Sequence, residues 1–250
     1  FPEHPLDGFA WLLVIAAVMG VLDVAVHLGV HEPAATPAPS GLSIVTRILR
    51  PLESRDFLFF TLAMCVWMFG IGLFGPFVNV YLREAFGVPF LHLSLMQVAG
   101  MASGVVASFL AGRLAGRMGM RVFGLTMVVA APVFHLFWLF LDGDAVIMLP
   151  LVGEVAQPIL LLFTSSLVAG GIYANVGILQ VSLLTALAPP EGRTMAMAVH
   201  WSMVGAVSAL GPVAGGWVRD WVAAHPLPWH LPTGTPVSYM QVLLALHAML

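Results

Sequence analysis

The sequence predicts an all-α polytopic membrane protein, on three observations. Hydrophobic residues fill 60% of the 250 positions, whereas Asp, Glu, Lys and Arg together supply 8%. The apolar residues gather into runs about as long as the roughly 20 residues a helix needs to cross the hydrocarbon of a bilayer. The Arg residues fall mainly on alternate connections between those runs, as membrane topology requires. A soluble domain of this length carries far more charge over its surface, so most of this surface faces lipid.

The runs follow one another along the chain. The first spans about 9–30 and is interrupted by Asp23 and His27; the second, 57–82, holds no formal charge. The third covers 89–112 and the fourth 122–141. The fifth begins near 155 and continues to 187, and the sixth covers 194–218. A seventh starts near 237 and meets the last residue, Leu250; its fourteen residues reach about 21 Å, short of the hydrocarbon thickness. With Phe1 at the other end, the chain reads as a fragment of a longer protein. Between 142 and 157 lies an apolar, Pro-containing stretch that reads either as an interfacial loop or as a short re-entrant piece.

Charge placement orients the spans. Arg47, Arg50, Arg55, Arg113, Arg117, Arg121 and Arg193 lie on one side, against Arg83 and Arg219 on the other. The first side is therefore cytoplasmic, in a cell (inner) membrane crossed many times. Trp11, Trp138, Trp217, Trp221 and Trp229 then fall at the outer interface, where an aromatic belt belongs. Pro33, Pro37 and Pro39 make 31–56 a cytoplasmic connector between bundles. The lone cysteine, Cys65, allows neither a disulfide framework nor a thiolate metal cluster.

Polar groups inside a membrane are expensive and are functional suspects for that reason. Asp23, His27 and His31 recur every four residues on one helical face. One ion cannot take all three, because the first and last lie about 12 Å apart along the axis. Asp23 and His27 read as a proton-relay pair or, more simply, as groups wetted at the inner end of their span. Glu154, at the start of the fifth span, reads as a helix-terminal carboxylate or as a coupling group. Asn79, Gln97, Tyr173, Asn175, Gln180 and His200 are side chains that either line a solute cavity or tie helices together. Trp67 and Trp201 lie within spans, where they stack on a substrate or pack in the core. His135 reads as a helix-packing histidine. Gly70, Gly72, Gly75-Pro76, Gly170-Gly171, Gly177 and Gly211-Pro212 are expected to interrupt spans, as bending points or sites of close packing.

The segment Gly112-Arg113-Leu114-Ala115-Gly116-Arg117-Met118-Gly119-Met120-Arg121 resembles the cytoplasmic signature loop of the major facilitator superfamily. Gly116 stands where that family usually has Asp, and Met120 where it has a basic residue. Asn79-Val80-Tyr81-Leu82, Pro189-Pro190-Glu191-Gly192-Arg193 and Gly211-Pro212-Val213-Ala214-Gly215-Gly216 with Asp220 add to the resemblance. It implies that 1–30 is the last helix of an N-terminal bundle, 31–56 the central linker and 57–250 an incomplete C-terminal bundle. Gly112, Gly116, Arg117, Gly119 and Arg121 would form a gating loop, the glycines giving close approach and a tight turn. The second and fifth spans would line the central cavity.

The function expected is secondary active transport of a small solute by alternating access, with protons as the coupling ion; the alternative is a non-transporting receptor or assembly subunit on a transporter-like fold. No HExxH, GxSxG, P-loop or intramembrane carboxylate pair is present, so neither an enzyme nor a pump carrying its own ATPase is expected. The expected partners are a small-molecule substrate, the lipid bilayer, protons and the N-terminal bundle of the same chain. No cofactor, metal or nucleic acid is expected.

Overall fold

Helix boundaries fall where the apolar runs meet Gly, Pro or charge. The computed structural model describes residues 5–29, 43–150, 153–190 and 192–250. It divides the chain into two units, 1–42 and 43–250. The first contains α1 (Pro5–His27), apolar over most of its length and closed by His27, whose ring meets the Asp23 carbonyl at 2.8 Å.

In the second unit Ser43 caps α2 (Ile44–Leu49) by accepting from the Thr46 amide, and a 3-10 turn follows at Arg50–Glu53. Helix α3 (Arg55–Phe74) gives way at Gly75-Pro76 to one 3-10 turn, then resumes as α4 (Val78–Phe86). Proline has no amide proton to continue the ladder, so the break falls there. Gly87, at φ +61°, ends α4 in the left-handed conformation that glycine adopts without strain. Next come α5 (Phe90–Met118) and α6 (Met120–His135), the latter extended by a 3-10 turn to Phe140. A hairpin of β1 (Val146–Leu149) and β2 (Gly153–Ala156) leads into α7 (Gln157–Leu187). Helices α8 (Arg193–Ala224) and α9 (Tyr239–Met249) complete the unit.

Among the described residues the architecture is all-α apart from those two strands. Five helical stretches, beginning at Ala10, Arg55, Phe90, Gln157 and Arg193, are long and apolar enough to cross a membrane, as in a multi-pass membrane protein. Two more, Val122–Ala131 and Tyr239–Met249, are apolar but shorter.

Several expectations need correction. The basic segment after the third span is not an extended loop: α5 runs through Arg113 and Arg117 to Met118, and Gly119 alone separates it from α6. A helix carrying Arg outside the hydrocarbon keeps its backbone bonded at no cost in burial. The 142–157 stretch, expected as an interfacial loop or a short re-entrant piece, carries two paired strands, β1 and β2. Its strands pair in antiparallel register, Ile147 opposite Val155 and Met148 opposite Glu154. Gln157 locks the base, donating to the Phe140 carbonyl (2.8 Å) and accepting from the Asp142 amide (3.0 Å). Gly211-Pro212 does not break the sixth span, nor do Gly70, Gly72, Gly170-Gly171 and Gly177 interrupt theirs. Of the 31–56 connector, residues 31–42 lie outside the described residues, and 44–53 are helical.

The two closest helix pairings explain the small residues. Helix α5 packs on α7, and α3 on α8. A Cβ on Gly170 would collide with the Gly100 carbonyl, and one on Gly211 would lie 2.7 Å from the Gly72 backbone. Without side chains at these crossings, backbones approach to van der Waals contact, the main attraction between helices in lipid. Ser103 on α5 donates to the Leu167 carbonyl on α7 across one seam. Pro212 cannot donate to the carbonyl four residues back, that of Ser208, and this carbonyl lies against Gly72 at the other seam. Helix α9 packs on α3 and α8 and also meets α6, which itself lies on α7.

Candidate functional site

The buried histidines fall into two groups. The first is built by α3, α6, α7 and α9. His135 ends α6, and its Nδ1 lies 2.7 Å from the Ala131 carbonyl one turn back. A carbonyl only accepts, so Nδ1 carries the proton and Nε2 keeps its lone pair. Tyr173 on α7 donates its hydroxyl to that Nε2 across 3.4 Å. His247, on the last turn of α9, packs edge to face on His135, with ring centroids 5.7 Å apart. Phe74 on α3 lies between them, 4.7 Å from His135 and 4.9 Å from His247. Trp67, two turns earlier on α3, lies 5.8 Å from His247 and 6.4 Å from Tyr173.

Sequence and local geometry explain the positions. Gly70 lies between Trp67 and Phe74, and a Cβ there would stand 2.6 Å from His247 Nδ1. The missing side chain is the space the imidazole occupies. Tyr173 is the seventeenth residue of the 31-residue α7, about 24 and 21 Å from its two ends, so this group sits at mid-depth. On the helices that build it the formal charges lie toward the ends: Arg55 and Asp56 open α3, and α7 and α9 carry no Asp, Glu, Lys or Arg.

The cluster holds several of the buried hydrogen-bonding atoms that lack partners among the described residues; His92 Nδ1 and the Tyr239 hydroxyl are others, outside it. His247 is 3% exposed, yet neither ring nitrogen has a partner among the described residues, and neither does Trp67 Nε1. Asn175, one turn of α7 from Ile172, likewise leaves its Oδ1 buried and unpaired. Buried polar atoms nearly always find partners, and each exception calls for an explanation.

The second group is fully bonded. His200 on α8 has no exposed surface. Its Nδ1 meets Thr61 Oγ1 on α3 at 3.0 Å, and its Nε2 meets Gln180 Nε2 on α7 at 3.1 Å. Phe60 stacks on the imidazole at 5.3 Å with planes 7° apart, and Trp201 touches it edge on at 5.4 Å. With the Gln180 amide donating, the neutral ring accepts at Nε2 and donates from Nδ1 to Thr61. Every polar atom of the imidazole is satisfied, which makes this triad a three-helix clasp.

Of the cavity candidates, then, Trp67 and Tyr173 come together in the first group, and Gln180, His200 and Trp201 in the second. Asn79, in the first turn of α4, and Gln97, on α5, are exposed and belong to neither. Glu154 is exposed on β2, and α7 has no acidic residue in its first turn, so Glu154 does not serve that helix's terminus. His27 bonds the backbone of Asp23 rather than its carboxylate, and His31 lies outside the described residues. In the gating-loop set Gly119 makes the turn at φ +80°, whereas Gly112 and Gly116 have nothing within 4 Å and support no close approach. The backbone of Arg121 opens α6; its side chain lies outside the described set. Trp138, expected at the interface, turns inward and donates to Ser165 at 2.9 Å.

Sequence reasoning missed His247 and Thr61 and took His135 for packing alone. The available signal was a histidine in an apolar run, which holds for His247 as for any other intramembrane ionisable group. No family model, no curated protein and no solved structure matches the chain.

Proposed function

We propose that this chain belongs to a secondary active transporter, of the kind the major facilitator superfamily represents, moving a small solute across the cell membrane by alternating access. One observation carries it: the mid-depth group of Trp67, His135, Tyr173 and His247, contributed by four helices and holding buried hydrogen-bonding atoms without partners. Membrane folds keep such groups where a solute or ion is handled. The helix pairs that meet through bare backbone, α5 with α7 and α3 with α8, provide rigid bodies that rocking motions require. In this reading the chain is one moving half, a second bundle faces it, and the Arg-rich end is cytoplasmic.

Counterflow by the full-length protein in proteoliposomes tests the proposal, with pooled labelled sugars, amino acids, organic acids and cationic drugs. Exchange of one class, lost in Tyr173→Ala or Asn175→Ala, is the expected result. Folded protein that exchanges none of them overturns transport and favours a receptor or assembly subunit.

A further inference from the structure

We propose that His247 is a single-proton site, neutral while the bundle is closed around it and charged when the bundle opens to water. This rests on the transport reading in one respect only, that the closed bundle opens.

The chemistry follows from what surrounds the imidazole. From α3 it faces Trp67, Gly70 and Phe74; from α6, His135; and Tyr173 of α7 completes the group through His135. Among the described residues no carboxylate reaches it. Helix α8 meets α9 through Arg219, which lies over the Tyr239 ring, eight residues and about 12 Å from His247. Charge on His247 inside the closed bundle would be buried without a counter-ion, which strongly disfavours it. A neutral ring there costs far less, leaving one N–H and one lone pair unpaired.

Opening reverses the balance. Water then solvates the ring, whose ordinary pKa of about 6.5 lets it take up a proton. The aromatic faces of Trp67 and Phe74, within 6 Å, favour that cation further wherever they stay beside it. His135, 5.7 Å away, already spends Nδ1 on the Ala131 carbonyl and Nε2 on the Tyr173 hydroxyl, so it has no free lone pair to take the proton, and His247 does. The sign is therefore fixed: a falling pH favours the open bundle, and the proton must leave before the bundle closes. In a carrier, that requirement ties proton release to solute occlusion without any intramembrane carboxylate.

Hydrogen–deuterium exchange of α9 and α3 peptides tests the site in the full-length protein in lipid nanodiscs. Rates at pH 7.5 and 5.5, corrected for intrinsic chemical exchange, are compared in wild type, His247→Phe and His135→Phe. One proton taken up only in the open state raises opening about tenfold over this interval. Wild type should show that rise, His135→Phe should keep it, and His247→Phe should lose it while retaining protection at pH 7.5. A rise that persists in His247→Phe, no rise in wild type, or a rise near a hundredfold would each overturn the single-proton site. The measurement needs no solute, so a pH-dependent opening without counterflow would sink transport and leave the proton site standing.

Discussion

The rings of His135 and His247 meet edge to face, centroids 5.7 Å apart and planes at 84°, both buried and carried by the two shorter apolar helices, α6 and α9. His135 is anchored by the Ala131 carbonyl and by Tyr173; His247 has no hydrogen bond among the described residues. One half of the pair is fixed by its own helix, and the other is held only by shape and ring contacts.

Removing the polarity of His247 should not weaken the closed bundle. Phe fills nearly the same space and leaves no unpaired donor or acceptor, so His247→Phe should match wild type or exceed it by about 1 kcal/mol. Thermal unfolding in detergent checks this. A melting temperature several degrees below wild type would mean that His247 has a partner the closed structure conceals.

Gly70 and His247 share one space. Gly70→Ala puts a methyl 2.6 Å from His247 Nδ1, which forces the ring aside and should cost about 1–3 kcal/mol. The double variant Gly70→Ala/His247→Ala should recover much of that loss, since the clash is gone. Additive losses in the double variant would show that the two positions do not compete.

The glycines divide by position rather than by residue type. Gly170→Val drives a side chain into the Gly100 backbone and should destabilise by more than about 3 kcal/mol or prevent folding. Gly112→Ala, in open space within α5, should be neutral or stabilising by up to about 1 kcal/mol. Comparing folded yield and melting temperature of the two variants reads the difference directly.

Thr61, His200 and Gln180 should behave as one unit. Thr61→Val and Gln180→Leu each remove one bond to the same imidazole, for about 0.6–2 kcal/mol apiece. A double-mutant cycle in unfolding free energy should return a coupling of at least about 0.5 kcal/mol, because the second loss falls on a ring already unpinned. Simple additivity would argue that the triad is three independent contacts.

Helix α9 is held at its start by Gln241, which donates to Tyr81 on α4 at 2.9 Å and accepts from the Ser238 amide at 3.0 Å. Gln241→Leu breaks both, so amides of the first turn of α9 should exchange severalfold faster while those of α5 stay unchanged. Equal acceleration in both helices would mean global destabilisation and not a lost anchor.

The sequence by itself determined where the long apolar helices lie and that their length and composition suit a membrane. Length and apolarity of a run suffice for that, because each spanning helix satisfies its own backbone whatever its neighbours are. It also exposed Gly75-Pro76 as a break, since proline removes a backbone donor wherever it stands. Gly211-Pro212 carries the same local signal and leaves α8 continuous, because the seam with α3 accommodates the freed carbonyl. The strands β1 and β2 were hidden for a related reason: β1 is apolar at every position and β2 is only four residues long, so alternation gave no period to read. Which polar residues meet was decided by tertiary structure alone. Trp67 and His247 are 180 positions apart in the chain, and only the packing of α9 on α3 brings their rings within 5.8 Å. Composition marks a buried histidine as costly; the partners that satisfy it, or leave it unsatisfied, come from helices distant in sequence, and their identity is set by where backbones can approach.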